Sequence, residues 1–324
     1  MQTRLKGKHF LSTQEWTIEE IETLLALAAE LKLAKALHKP TPLLTAKTLY
    51  MIFFDASTRT RNSFETGMTQ LGGHAIYLSP DKMQISHGEN ARDTAKVLSR
   101  YGEGIAIRHC AFGEGHAYVR EVAAHAEVPV LNMQCDLYHP CQILADYLTI
   151  REKFGSTRGL KLGVAWTSAP NYVRPLSVPH SLILMMPRFG IDVTLAYPPE
   201  FKLRPEVEDE ARANAAAAGA KFEISHRFED AFADADAVIP KSWGPLVTTR
   251  DVDEGLRLIG KYPDWRCDAQ RMALGKDHLI YMHPLPADRG REVTDEVIDG
   301  PQSVVYDEAE NRLHVQKALM ALTM

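Results

Sequence analysis

Short apolar runs recur along the chain, each long enough for a buried strand and too short for a helix. Thr48–Phe54 is the clearest, and His74–Leu78, Gly104–Ile107 and Val128–Leu131 repeat it. Between them lie segments with helical spacing. Phe64, Met68 and Leu71 mark one such face, and Gly72-Gly73 stops it. The pattern then begins again, with strands predicted at Lys161–Trp166, Ile191–Ala196, Lys221–Ile224, Ala237–Pro240 and His278–Met282. Helices are predicted at Arg204–Ala218 and Phe228–Asp234, with a last one spanning Glu308–Leu322. The two series meet at Gln142–Phe154, where Ile143, Leu144, Tyr147, Leu148 and Phe154 form a helical apolar face ended by Gly155. Strands alternating with helices imply parallel sheets covered on both faces. The fold class is therefore α/β: two doubly wound parallel-sheet domains, with the active site expected in the interdomain cleft.

Composition agrees and removes several classes. At roughly 150 residues per domain, 324 residues suggest two domains. With 45% hydrophobic and 24% charged residues, the chain is neither a disordered tail nor a disulfide miniprotein. Its 37 Lys+Arg against 42 Asp+Glu leave a net charge of −5, which argues against a general nucleic-acid binder. Cys110, Cys135, Cys141 and Cys267 form no C-x-x-C pair, so no zinc ribbon or redox pair is predicted. Met1–Lys8 lacks the apolar core of a secretory signal, and the apolar stretch Ser181–Met186 is too short to span a bilayer. A soluble cytoplasmic protein that engages no membrane is expected.

The sharpest chemical signal is Phe53-Phe-Asp-Ala-Ser57-Thr58-Arg59-Thr60-Arg61, where a buried strand runs through a short turn into an amphipathic helix. Ser57 suits the N-cap, and Thr58, Arg59 and Thr60 would fill the first turn. Unpaired N–H groups and the positive end of the helix dipole suit a phosphate dianion, and an arginine fork can bind it bidentately. Basic charge in a first turn opposes the dipole, so an anion explains it better than a capped surface helix does. Arg108 sits at the carboxyl end of its strand, where open α/β sheets place ligands; alone it reads equally as a surface cation. His139-Pro140-Cys141-Gln142 opens the helix at the domain junction, with Pro140 at a favoured first position. His139 and Gln142 could share one small planar ligand, or His139 could simply cap the helix. Cys141 lacks a partner base and reads as a buried thiol. His283-Pro284-Leu285-Pro286 follows a strand, and its two prolines expose carbonyls. Lys241-Ser242-Trp243-Gly244 also follows a strand, and Arg312 opens the last helix; each cation could hold a carboxylate or be a solvated surface charge.

Together, Ser57-Thr-Arg-Thr-Arg61, Arg108, His139-Pro-Cys-Gln142 and His283-Pro-Leu-Pro286 resemble the transcarbamylase superfamily, the aspartate and ornithine carbamoyltransferases, over essentially the whole chain. Lys241-Ser-Trp-Gly244, Ala165-Trp166, the tail Asp307–Lys317 and a loop through Pro170, Pro175 and Pro179 resemble the acetylornithine and succinylornithine branch. That branch has a trefoil knot in its second domain. Gln84 through Ser86-His-Gly-Glu89, Arg174–Pro179 and Asp264–Cys267 look closest to knotted carbamoyltransferases associated with purine and ureide breakdown. A catabolic enzyme of that kind would run phosphorolysis of a ureido compound to make carbamoyl phosphate.

The resemblance implies that residues 1–150, joined by the helix 308–324, bind carbamoyl phosphate and that 151–307 bind an amino-acid acceptor. Ser57, Thr58, Arg59 and Thr60 would hold the phosphate, Arg108 would bridge phosphate and carbonyl oxygen, and Arg108 and His139 would stabilise the oxyanion. Gln142 and the Leu285 carbonyl would hold the carbamoyl NH₂, and Gln84 would reach into a neighbouring chain's site in a homotrimer or a multiple of trimers. Lys241, Trp243, His283 and Arg312 are expected to bind the acceptor, which should carry a carboxylate. No metal or organic cofactor is called for. Ornithine fits poorly, because Lys241-Ser-Trp-Gly and Pro284 stand where ornithine enzymes carry an Asp and a Cys. Acetylornithine is also doubtful, since Arg291-Glu292 replaces the lysine that follows the family's His-Cys-Leu-Pro. A dehydrogenase would need G-x-G-x-x-G after a strand, which Leu162–Ser168 lacks. The alternative from another class is a non-catalytic sensor of carbamoyl phosphate or a ureido metabolite.

Overall fold

In the computed structural model, the structure describes residues 4–169 and 174–324. The chain divides into two compact units, Met1–Ala145 with Glu310–Met324, and Asp146–Ala309.

The first unit is built on four parallel strands, β1 (Thr48–Phe53), β2 (His74–Leu78), β3 (Gly104–His109) and β4 (Val130–Cys135), in the order β2-β1-β3-β4. Its helices are α1 (Ile18–Ala36), α2 (Thr58–Gln70), α3 (Ala91–Tyr101) and α4 (Gly115–His125), with α5 (Pro140–Phe154) following β4. Thr17 and Glu20 close a capping box at the start of α1, which buries Ile21, Leu24, Leu25, Ala28 and Leu31 at helical spacing. On α2 the buried stripe is Phe64, Gly67 and Met68; each large side chain stabilises the packing by about 1.5–3 kcal/mol. The apolar run predicted at Val128–Leu131 begins later and runs on to Cys135, through fully buried Asn132 and nearly buried Gln134. Asn132 Nδ2 is satisfied by the Leu11 carbonyl at 2.8 Å, so a polar residue belongs to the strand core. Gly115 opens α4 against the end of β3, where an added Cβ would lie 1.8 Å from the His109 carbonyl oxygen.

The second unit holds the parallel strands β5 (Lys161–Trp166), β6 (Asp192–Ala196), β7 (Phe222–Ser225), β8 (Ala237–Lys241) and the two-residue β9 (Ile280–Tyr281), in the order β7-β6-β5-β8-β9. Helices α6 (Ser177–Met185), α7 (Pro205–Ala218), α8 (Val252–Ile259), α9 (Ala269–Met272) and α10 (Asp295–Ile298) accompany them, and α11 (Val305–Thr323) is the last helix. The helix predicted at Phe228–Asp234 is instead a single 3-10 turn, Phe228–Ala231, and Asp234 takes a left-handed φ of 53°. Of the loop prolines, Pro175 and Pro179 are described, whereas Pro170 lies outside the described residues. No described helix is long and apolar enough to cross a membrane.

Both sheets reverse direction beside their first strand. The reversal lies between β1 and β3 in one and between β5 and β8 in the other, and crevices at the carboxyl ends of such strands are where open α/β sheets take ligands.

Candidate functional site

At the first reversal, the chain leaves β1 and turns into α2 with Ser57 as N-cap (φ −156°, ψ 114°), its Oγ accepting the Thr60 N–H at 3.2 Å. The first turn carries no acidic residue, so the dipole's positive end is not neutralised there. Thr58 is exposed, Ser57 and Arg59 are half-buried and Thr60 is buried. Arg61 faces away: its guanidinium pairs with Glu65 at 2.9 Å and lies 3.9 Å above the Tyr77 ring. That side forms an open hollow of about 440 Å³ that includes Ser57, Thr58, Arg61 and Asn62.

Arg108 is the penultimate residue of β3 and lies opposite a bulge, since Ile107 pairs with Asn132 but Arg108 pairs with Gln134. Bulges re-aim side chains beside sites. The guanidinium donates to Gln134 Oε1 at 2.5 Å, while its buried Nε has no hydrogen-bond partner among the described residues.

His139 precedes Pro140 at the start of α5, and its carbonyl accepts the Gln142 N–H at 3.0 Å. The imidazole is 4% exposed. Burial, reinforced by the positive charges of Arg312, Arg108 and Arg59, holds its pKa well below the usual histidine value. It is therefore a neutral hydrogen-bonding group, suited to polarising a carbonyl rather than to supplying a proton. Cys141, next in the chain, is buried and its thiol is pushed up to about 12.

Arg312 was expected beside the acceptor. It stands in the first unit, donating to Gln142 Oε1 at 2.6 Å and to Thr60 Oγ1 at 2.7 Å. Ser57, Thr60, Arg108, His139, Gln142 and Arg312 thus share one end of the first sheet, with Arg59's charge felt at His139. Exposed Gln84 lies in the 3-10 turn Gln84–His87, its Oε1 3.2 Å from His87 Nδ1.

At the second reversal, Lys241 ends β8 and is 6% exposed. Its ammonium reaches Glu292 Oε1 at 3.1 Å and the Ser242 carbonyl and hydroxyl at 3.2 Å each. Burial pulls its pKa down to about 8 against the opposing pull of Glu292. His283 is fully buried. Its Nδ1 accepts the Leu285 N–H at 2.9 Å, which leaves the proton of the neutral ring on Nε2, 3.3 Å from Glu292 Oε2. Leu285 is half-buried, with φ 49°. Trp243 is 1% exposed, and its indole donates to the Phe201 carbonyl at 2.7 Å, so its ring packs in the core. Sequence reading named neither Glu292 nor Gln134 for the site. Glu292 lies 51 positions from the lysine it meets, and no local pattern links them.

Residues 8–152 match the sequence profile of the aspartate/ornithine carbamoyltransferase carbamoyl-P binding domain, and residues 175–323 that of the Asp/Orn binding domain. The chain is 42% identical to the ornithine carbamoyltransferase of Thermococcus kodakarensis, covering 100% of this chain and 98% of that one. It is 44% identical to that of Halalkalibacterium halodurans over 98% of this chain and 95% of the relative. Among solved structures it is similar to the ornithine carbamoyltransferase of Pyrococcus furiosus, with a TM-score of 0.90, 41% identity and coverage of 100% and 99%. An acetylornithine transcarbamylase complexed with acetylcitrulline matches with a TM-score of 0.90, 36% identity and coverage of 97% and 98%.

Proposed function

Because the chain belongs to the aspartate/ornithine carbamoyltransferase family and is a carbamoyltransferase, we propose that it moves the carbamoyl group between carbamoyl phosphate and an amino- or ureido-carboxylate acceptor. The observation that carries the donor half is the α2 terminus, free of acid, beside Arg108, His139 and Arg312. In this reading the N–H groups and hydroxyls of Ser57, Thr58 and Thr60, with Arg59, hold the phosphate. Arg108 and neutral His139 stabilise the oxyanion that forms when the amine nitrogen attacks the carbonyl carbon, donors of a kind worth roughly 10²–10³ in rate each. The bond between the carbonyl carbon and the bridging oxygen then breaks, and the inorganic phosphate that leaves with that oxygen accepts the proton released by the amine. Arg312 joins the donor ligands, because it is bonded to Thr60 and Gln142. Gln84 reaches the site of a neighbouring chain in a trimer.

For the acceptor, neutral Pro284 and cationic Lys241 support a carboxylate without an extended cationic chain. A second reading, L-ornithine, is favoured by the names of the relatives at 42–44% identity. The test is a screen of amino acids, N-acylated ornithines and ureido acids, read by phosphate release and by phosphate-dependent cleavage of the ureido compounds. Turnover of N-acylated or simple amino acids above L-ornithine supports the first reading. Preferential turnover of L-ornithine replaces it with the second.

A further inference from the structure

The ligand position of the second sheet, at the reversal between β5 and β8, is organised around one carboxylate of the chain itself. Glu292 is fully buried. Its Oε1 accepts the Ser242 N–H at 2.7 Å and the Lys241 ammonium at 3.1 Å, with Thr167 Oγ1, just past β5, at 3.4 Å. Its Oε2 accepts the Asp288 N–H at 2.8 Å and lies 3.3 Å from His283 Nε2 and 3.6 Å from Arg174. Arg174 in turn donates to Asp288 at 2.8 Å and to the Pro286 carbonyl at 3.0 Å, and its own carbonyl accepts the Gly244 N–H at 2.9 Å. The segments after β5, β8 and β9 are therefore gathered on a single side chain.

A buried carboxylate with this many donors does more than fill space. Two cations, Lys241 and Arg174, are balanced by two anions, Glu292 and Asp288. Removing one anion would leave a buried ammonium beside a guanidinium, so Lys241 would shift its place or lose its proton. The pull of Glu292 on Lys241 and on His283 has this same sense.

We propose that Glu292 is the positioning residue of the acceptor half: it fixes the Lys241 ammonium, the Ser242 amide and the His283 ring in the arrangement that meets the acceptor. This rests on the reading that Lys241 faces the acceptor, and the experiment separates the two.

Kinetics are run on Glu292→Gln, Glu292→Asp, Lys241→Met and the double variant, using whichever of L-ornithine, N-acetyl-L-ornithine or an α-amino acid the wild-type enzyme carbamoylates. Glu292→Gln should raise the acceptor KM roughly ten- to a hundredfold, the scale for losing the partner that orients a ligand group. The carbamoyl phosphate KM should stay near wild type, and Glu292→Asp should recover part of the loss. Lys241 and Glu292 should be coupled, so that adding Glu292→Gln to Lys241→Met does less harm than adding it to the wild type. The double variant also guards against a misfolded single one, since both buried charges are removed together. A raised acceptor KM in Lys241→Met with none in Glu292→Gln, or strictly additive effects, overturns the role of Glu292. An unchanged acceptor KM in Lys241→Met overturns the underlying reading instead. An enzyme that carbamoylates no carboxylate-bearing acceptor and cleaves no ureido acid with phosphate overturns both.

Discussion

The Arg312 guanidinium donates to Thr60 Oγ1 at 2.7 Å across 252 positions of sequence, and the same fork holds Gln142. The last helix is thereby tied to the first turn of α2. Thr60 cannot rotate its hydroxyl freely while it accepts from a buried arginine.

Arg312→Met should therefore behave as a donor-site variant. Its kcat/KM for carbamoyl phosphate should fall by about 10²–10³, as expected when a preorganised cationic donor is lost. The acceptor KM should move little. Steady-state kinetics with each substrate varied decides, and a change confined to the acceptor would return Arg312 to the other half.

Arg59→Ala should weaken the binding of carbamoyl phosphate or phosphonoacetate about ten- to a hundredfold, the equivalent of about 1.5–3 kcal/mol for a charge-assisted contact. The residue is half-buried at a helix start, so thermal stability should hardly change. Titration calorimetry beside a melting curve is the check. Full affinity in a normally folded variant would remove Arg59 from the site.

Acid should destabilise the protein below the ordinary histidine range. In the native state burial keeps His139 neutral, and His109 and His283 are lowered in the same direction by burial. The unfolded chain takes up those protons as pH falls through about 6.5, whereas the native state takes them up only lower. Stability present above that pH is thus lost on the way down, by up to roughly one kcal/mol per pH unit for each group. Urea midpoints measured between pH 7.5 and 5 should fall, and His139→Gln should flatten the slope. A pH-independent midpoint would contradict the buried neutral imidazole.

The proposal that Gln84 reaches a neighbouring chain's site makes a mixing prediction. Gln84→Ala and His139→Ala should each be inactive, and their mixture after subunit exchange should regain partial activity. Some hybrid interfaces would then combine an intact Gln84 with an intact His139. Verified exchange with no recovery would mean that each chain serves its own site.

Much of this architecture was readable from apolar runs, because parallel strands buried on both faces need continuous apolar sequence. Where the buried faces are polar or small, that signal fails. β4 continues through Asn132 and Gln134, which hydrogen-bond to the Leu11 carbonyl and to Arg108, and α3 buries only Ala91, Thr94 and Ala95. The strand-turn-helix junction at Ser57–Thr60 was legible because its cap and first turn are consecutive in sequence. The partners of Arg312 and Glu292 were not legible, because they come from distant segments joined only by the fold. Trp243 shows the converse: a residue inside a conspicuous tetrapeptide whose ring belongs to the core.

Gly115 gives this scaffold a remote point of failure. Its bare α-carbon rests on the His109 carbonyl, one residue beyond Arg108, and any side chain there would have to push the end of β3 aside. A library screened for lost activity would score this position among the ligand-contacting ones. A thermal assay would show a marked loss of stability as well, because the clash is with backbone that cannot swing aside. Position 115 would then count toward activity without ever meeting a substrate, and engineering that spares only the residues lining the donor site would overlook it.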